Sequence, residues 1–309
     1  MNFFMDILRG VVIGVANIIP GVSGGTMMVT MGIYDRLLEA INGLFKHFIK
    51  SVKTLLPVVI GMLVGIAGFA VLLKKVLFAK CPLPTAFAFI GLIVGGIPLI
   101  VSRLQKAGKA AEAEENKSEK KKEAPFGLKL VIFALFFALI IGMQFMGEGA
   151  AKELKLSVLS ALLMLFLGVL ASAAMVIPGV SGSLLLMAMG YYNAIITAIN
   201  DFLDALKKMD FAAMIDQCLL LVPFGIGVLL GIFFVAKLIT WLLTHHEKLT
   251  YYGILGLVVA SPFPVFMGGL ENTKLMPGGI PVAVDVRCII GCIVTFAVGT
   301  AVGILMSKE

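Results

Sequence analysis

The chain has 309 residues, of which 60% are hydrophobic and 14% charged, with a formal net charge of +7. A soluble domain carries about 25% charged residues, so the deficit and a mean hydropathy of +1.06 exclude an ordinary soluble pair of domains and indicate an all-α polytopic membrane protein. The positive charge does not point to nucleic acid, because the Lys and Arg residues sit in short loops between apolar blocks, where they record membrane orientation.

Taken in chain order, the first apolar block covers residues 3–19. It carries Asp6 and Arg9, lacks a small-x-small cleavage site and runs straight into a glycine-rich motif, so it is expected to be mature structure and not a signal peptide. Further elements are predicted over 25–48, 54–73, 84–102 and 128–147, each block near the ~20 residues that cross a bilayer core. Between Arg103 and Pro125 the composition turns charged and alanine-rich, which predicts a solvated, partly helical loop (103–127) with no catalytic role. The second half gives elements over 157–177, 183–205, 217–243, 250–268 and 284–306. Cys81, Cys218, Cys288 and Cys292 show no metal-ligand spacing, and no cofactor or metal is expected. Trp241, beside His245 and His246, is placed as an interfacial anchor.

The two halves repeat one another. Ile18-Ile19-Pro20-Gly21-Val22-Ser23-Gly24 returns as Val176-Ile177-Pro178-Gly179-Val180-Ser181-Gly182, a shift of 158 positions. At that shift 11 of the 23 positions from Pro20 to Asn42 are identical, beyond what chance delivers. The expected division is therefore 1–147 and 148–309, each with a broken or re-entrant hairpin (3–48 and 157–205) followed by three transmembrane helices. A hairpin plus three spans is an odd number of crossings, so the second repeat is expected to be inverted. Loops assigned on that basis put 16 of 25 basic residues on the side of both termini, which the positive-inside rule makes cytoplasmic.

Pro-Gly-x-x-Gly cannot sit inside an unperturbed helix, since proline removes a donor and glycine adds backbone entropy. In hydrocarbon such a break survives only where it is buried in protein or lines a polar cavity, and paired breaks in inverted halves point to a transporter binding site. A helix beginning near Ser23–Thr26 or Ser181–Ser183 offers N–H groups and a positive dipole end to an anion, with Gly24, Gly25 and Thr26, or Gly182 and Ser183, as donors. The competing structural use of these glycines is close helix packing. Arg9, Asn17, Asp35, Arg36 and Glu39 lie near the first break. Arg9 and Arg36 suit an anionic headgroup, whereas Asp35 and Glu39 serve equally as coupling groups or interface markers, and Glu148 is either a titrating group or an interfacial carboxylate. The second half has Leu167 for Arg9 and Asn193-Ala194 for Asp35-Arg36, so a charged site is asymmetric.

The run NIIPGVSGGTMMVTMGIYDRLLEAI, with its echo PGVSGS and the following GYY, resembles the signature of the bacterial polyprenyl-phosphate transporter family across nearly the whole chain. The resemblance implies a multi-pass flippase of the bacterial cytoplasmic membrane that returns undecaprenyl phosphate, the lipid carrier of cell-wall precursors, to the inner leaflet. No enzyme activity and no nucleic-acid partner are expected. Positions Asn17, Pro20, Gly21, Ser23, Gly24, Gly25, Thr26, Ser181, Gly182 and Ser183 carry over with the motif, and Tyr34, Asp35 and Arg36 sit where it continues. The rival class is a membrane polyprenyl-pyrophosphate phosphatase with Pro-Gly-x-Ser-Arg-Ser motifs. Here the arginine position is Gly24 or Gly182, and no apolar helix carries paired glutamates, so the transition-state charge would lack its clamp. A small-anion transporter using the same breaks is the third reading. Phe- and Met-rich faces would permit a homodimer among membrane lipids.

Overall fold

The computed structural model describes residues 3–18, 23–72, 82–115, 124–146, 149–152, 154, 156–274 and 286–307, and among them every regular element is a helix. In the first half α1 (Phe3–Ile18), α2 (Gly24–Thr30) and α3 (Tyr34–Asn42) lead into α4 (Phe48–Leu72), α5 (Pro82–Glu115) and α6 (Phe126–Gln144). In the second, α7 (Val158–Val176), α8 (Gly182–Ala188) and α9 (Tyr192–Lys208) lead into α10 (Phe211–His245), α11 (Glu247–Ala260), α12 (Pro262–Lys274) and α13 (Val286–Met306).

Seven helical segments among the described residues are long and apolar enough to cross a membrane: α4, the first 26 residues of α5, α6, α7, α10, α11 continued into α12, and α13. The pair α8 and α9 adds an interrupted segment bent by 110°. Many of these helices expose their apolar side chains. Leu128, Val131, Leu135 and Leu139 of α6 and Leu219, Val222, Leu229 and Phe234 of α10 all face outward. So much exposed apolar surface suits hydrocarbon as the surroundings and not water. The chain is an all-helical, multi-pass membrane protein.

Glycines set how closely the helices approach. A Cβ on Gly10 would lie 2.2 Å from the Val58 carbonyl oxygen, and one on Gly61 would lie 2.1 Å from that of Ile7. Backbone therefore meets backbone between α1 and α4, as small residues permit in membranes. The same contact recurs between α7 and α10, where Gly168 faces the Phe224 carbonyl and Gly227 that of Leu165. Gly168 is Gly10 shifted by 158 positions. The remaining long helices pack across the halves, α5 on α13 and α6 on α11. Gly91 there meets the Phe296 carbonyl and Gly256 that of Phe133.

The helices around the two motifs keep the same 158-residue offset: α1 ends at Ile18 and α7 at Val176, α2 covers Gly24–Thr30 and α8 Gly182–Ala188, and α3 starts at Tyr34 and α9 at Tyr192. One feature differs from the sequence reading. The elements predicted over 25–48 and 183–205 are each interrupted again, after only seven residues. Gly32 at φ +72° and Gly190 at φ +81° end the short helices. Ile33 N–H donates to Met28 O at 3.1 Å and Tyr191 N–H to Leu186 O at 3.0 Å, the closure of a Schellman motif in both copies. In the stretch expected to be a partly helical loop from 103, the helical part is a direct continuation of α5 through Arg103 to Glu115.

Candidate functional site

The two motifs meet. Residues 19–22, with Pro20 and Gly21, lie outside the described residues, and the description resumes at Ser23. The Ser23 hydroxyl caps α2 by accepting from Thr26 N–H at 3.4 Å. Thr26 is fully buried, and its Oγ1 accepts the Gly179 N–H of the other motif at 2.6 Å. It also lies 3.4 Å from Ser261 Oγ. Ser261 donates its own proton to Leu257 O at 2.8 Å, so Thr26 is the donor between the two hydroxyls. A Cβ on Gly25 would sit 2.9 Å from Met175 O. Tyr34 Oη donates to Val176 O at 3.0 Å. Two polar groups at the second break, the Gly179 N–H and the Val176 carbonyl, are thus satisfied by side chains that follow the first, as hydrocarbon requires.

The motif residues divide between cap, packing and hydroxyl roles. The Asn17 side chain lies against Gly24, whose Cβ would fall 2.4 Å from Asn17 Oδ1. A Cβ on Gly182 would fall 2.6 Å from Ala171 O. Gly24, Gly25 and Gly182 accordingly have protein, not open space, on their Cβ side, which is the close-packing role. In the second copy Ser181 makes no capping bond, and its hydroxyl pairs with that of Ser183 at 2.9 Å. With α2 and α8 only seven residues long, each dipole is that of two turns. Attraction for an anion therefore falls mainly to charged side chains.

Those side chains radiate from the first turn of α3. Arg36 Nη2 reaches Asp6 Oδ1 at 2.5 Å, and Arg9 Nη1 reaches the same oxygen at 3.3 Å. Arg9 is further tied to Met306 O at 3.0 Å, joining α1 to the end of α13. Asp6 and Arg9 are almost wholly buried, whereas the Arg36 side chain is 32% exposed. Among the described residues this cluster has two cations and one anion. The neighbouring Asp35 turns the other way, into an ion pair with Arg103 of α5 and a 3.3 Å bond from Tyr251 Oη of α11. Arg103 also donates to Gly32 O at 3.4 Å, pinning the Schellman turn. Tyr34, Asp35 and Arg36 thus tie three consecutive positions to the second break, to α5 and α11, and to α1.

Of the predicted charged residues, Arg9 and Arg36 come together through Asp6. Asp35 joins them only through the α3 backbone. Glu39 stands apart, 76% exposed and 3.7 Å from Lys50 at the surface. Glu148 lies outside the described residues. Asp6, Arg103, Tyr251 and Ser261 were not foreseen. Asp6 carried a legible signal, a carboxylate three residues before an arginine in an apolar helix. Arg103 read as the edge of a solvated loop, and Tyr251 and Ser261 carried none.

Compared with known proteins, residues 13–277 match the family model described as undecaprenyl phosphate translocase-like. The chain is 32% identical over 267 residues to a polyprenyl-phosphate transporter of Staphylococcus aureus (strain NCTC 8325 / PS 47), covering 86% of this chain and 87% of that protein. It is 26% identical over 275 residues to a polyprenyl-phosphate transporter of Vibrio cholerae serotype O1, covering 84% and 77% respectively. No solved structure matches.

Proposed function

Because the chain belongs to the undecaprenyl phosphate translocase-like family, we propose that it carries a polyprenyl phosphate, undecaprenyl phosphate in particular, across the bacterial cytoplasmic membrane as a flippase. In this reading the lipid returns from the outer to the inner leaflet for reuse in envelope synthesis, the two repeats are inverted, and both termini are cytoplasmic. The names of the relatives support the substrate class. The observation that carries the reading is the surplus cation among the described residues: Arg9 and Arg36 share one carboxylate inside an apolar helical body, and α3 joins that cluster to the contact between the two breaks. A phosphate monoester is the ligand such a surplus suits, since arginine offers paired N–H groups to its oxygens. The hydroxyls of Ser23, Ser181 and Ser183, with Asn17 and the Gly24 and Gly25 backbone, supply neutral hydrogen bonding along the headgroup path. The isoprenoid tail stays in lipid against the apolar outer faces. No hydrolytic step is part of the account.

The test is binding of farnesyl phosphate to the purified protein, compared with farnesol. Loss of one charge-assisted hydrogen bond costs roughly 1.5–3 kcal/mol, so Arg36→Ala should weaken farnesyl phosphate binding about 10- to 100-fold and leave farnesol binding unchanged. Equal loss for both ligands would move the headgroup elsewhere. Release of inorganic phosphate from farnesyl pyrophosphate by the protein would instead make it a phosphatase.

A further inference from the structure

Resting on the reading that Arg36 meets the headgroup, we propose that Asp6 is a built-in counter-anion, which holds Arg36 while no headgroup is bound and gives it up to a phosphate monoester. Asp6 is 0% exposed on an apolar helix, where an ionised carboxylate persists only if cations pair with it. Its pairing is lopsided. Both arginines use Oδ1, while Oδ2 has no hydrogen-bond partner among the described residues. Arg36 is equally under-used: Nη2 goes to Asp6, and its buried Nε has no acceptor among the described residues. A permanent structural pair would be expected to fill a two-pronged fork, and unsatisfied buried groups call for an explanation.

The two arginines differ in freedom. Arg9 is 3% exposed and anchored to Met306 O as well as to Asp6. Arg36 is 32% exposed, and its described hydrogen bond is to Asp6. Arg36 is therefore the partner that can turn away, bringing Nε and a terminal nitrogen side by side onto two phosphate oxygens. Before binding, Arg9, Asp6 and Arg36 sum to +1. After it, Arg9 with Asp6 is a neutral pair, and Arg36 neutralises a monoanionic phosphate. Asp6 keeps a cationic partner at both stages, so the headgroup is bound against an internal competitor and can be released again. The second half has Met164, Leu167 and Ala194 at the 158-shifted positions of Asp6, Arg9 and Arg36, so the device exists in a single copy.

The experiment measures calorimetric binding of farnesyl phosphate, farnesol and inorganic phosphate to the full chain and its variants. Asp6→Asn removes the competitor. Asp6→Asn/Arg9→Gln removes it together with the cation it would leave unpaired, so this variant decides the matter if the single one does not fold. Both should bind farnesyl phosphate about tenfold tighter, the size of one charge-assisted hydrogen bond no longer surrendered, with farnesol unaffected. A similar gain with inorganic phosphate also supports the exchange and assigns it to the phosphate group alone. In the unsubstituted protein carrying 13C-labelled aspartate, farnesyl phosphate should shift a carboxylate infrared band that farnesol leaves in place. Unchanged or weaker binding by the Asp6 variants, or an unmoved band, overturns the role of Asp6. Failure of the unsubstituted protein to prefer farnesyl phosphate over farnesol removes the carrier reading itself.

Discussion

Thr26 joins the two halves of the molecule directly. Its hydroxyl receives the Gly179 N–H at 2.6 Å inside a fully buried environment. Thr26→Val keeps the shape and removes the acceptor, leaving a buried N–H without its partner at a cost of about 1–3 kcal/mol. Thr26→Ser keeps the oxygen. The expected outcome is a clear fall in melting temperature for the valine variant in detergent and a much smaller one for the serine variant. Equal melting temperatures for the two would mean that the Gly179 N–H finds another acceptor. At this scale the motif residues do different work in the two copies: Ser23 caps a helix, whereas Ser181 pairs with Ser183. Identity in sequence does not carry identity of role, because Thr26 in the first copy is Leu184 in the second.

The short helices α2 and α8 are the elements that distinguish this fold from a simple bundle. Each ends in a glycine with positive φ, where a Cβ is disfavoured by about 1–2 kcal/mol. The surroundings then separate the two. A Cβ on Gly32 would come 3.0 Å from the end of the Leu99 side chain, which can move aside. One on Gly190 would come 2.2 Å from the Ala150 carbonyl oxygen, which is backbone. Gly190→Ala should therefore lower thermal stability well beyond Gly32→Ala, as over-packing against an unyielding neighbour adds about 1–3 kcal/mol. The reverse ranking would show that the segment around Ala150 yields more easily than Leu99. Neither interruption was legible beforehand, since one glycine inside an apolar run is tolerated by a helix and only the backbone angle marks it as a stop. The Pro-Gly breaks were legible because proline and glycine together cannot continue a helix.

For the whole molecule, composition and duplication were readable because both are written many times over: apolar blocks near bilayer length, and a motif returning after 158 positions. The helix pairing was not read from the sequence: Gly61 and Gly65 pack against α1, and Gly227 and Gly231 against α7. The charge cluster was half legible. Arg9 and Arg36 stood out as cations in apolar surroundings, but their link runs through Asp6, thirty positions from Arg36, and depends on the direction α3 takes after the second interruption. Arg103 was hidden by the charged run that follows it. The central claim is that the chain moves a polyprenyl phosphate between leaflets by way of this cationic cluster. Its most direct test is leaflet exchange of a fluorescent short-chain polyprenyl phosphate in proteoliposomes, followed by quenching from outside. The protein should speed exchange over protein-free vesicles, and Arg36→Ala, inserted in equal amount, should reduce that gain about tenfold or more, as expected for one lost charge-assisted hydrogen bond. Exchange at the protein-free rate, or full exchange by Arg36→Ala, would contradict it.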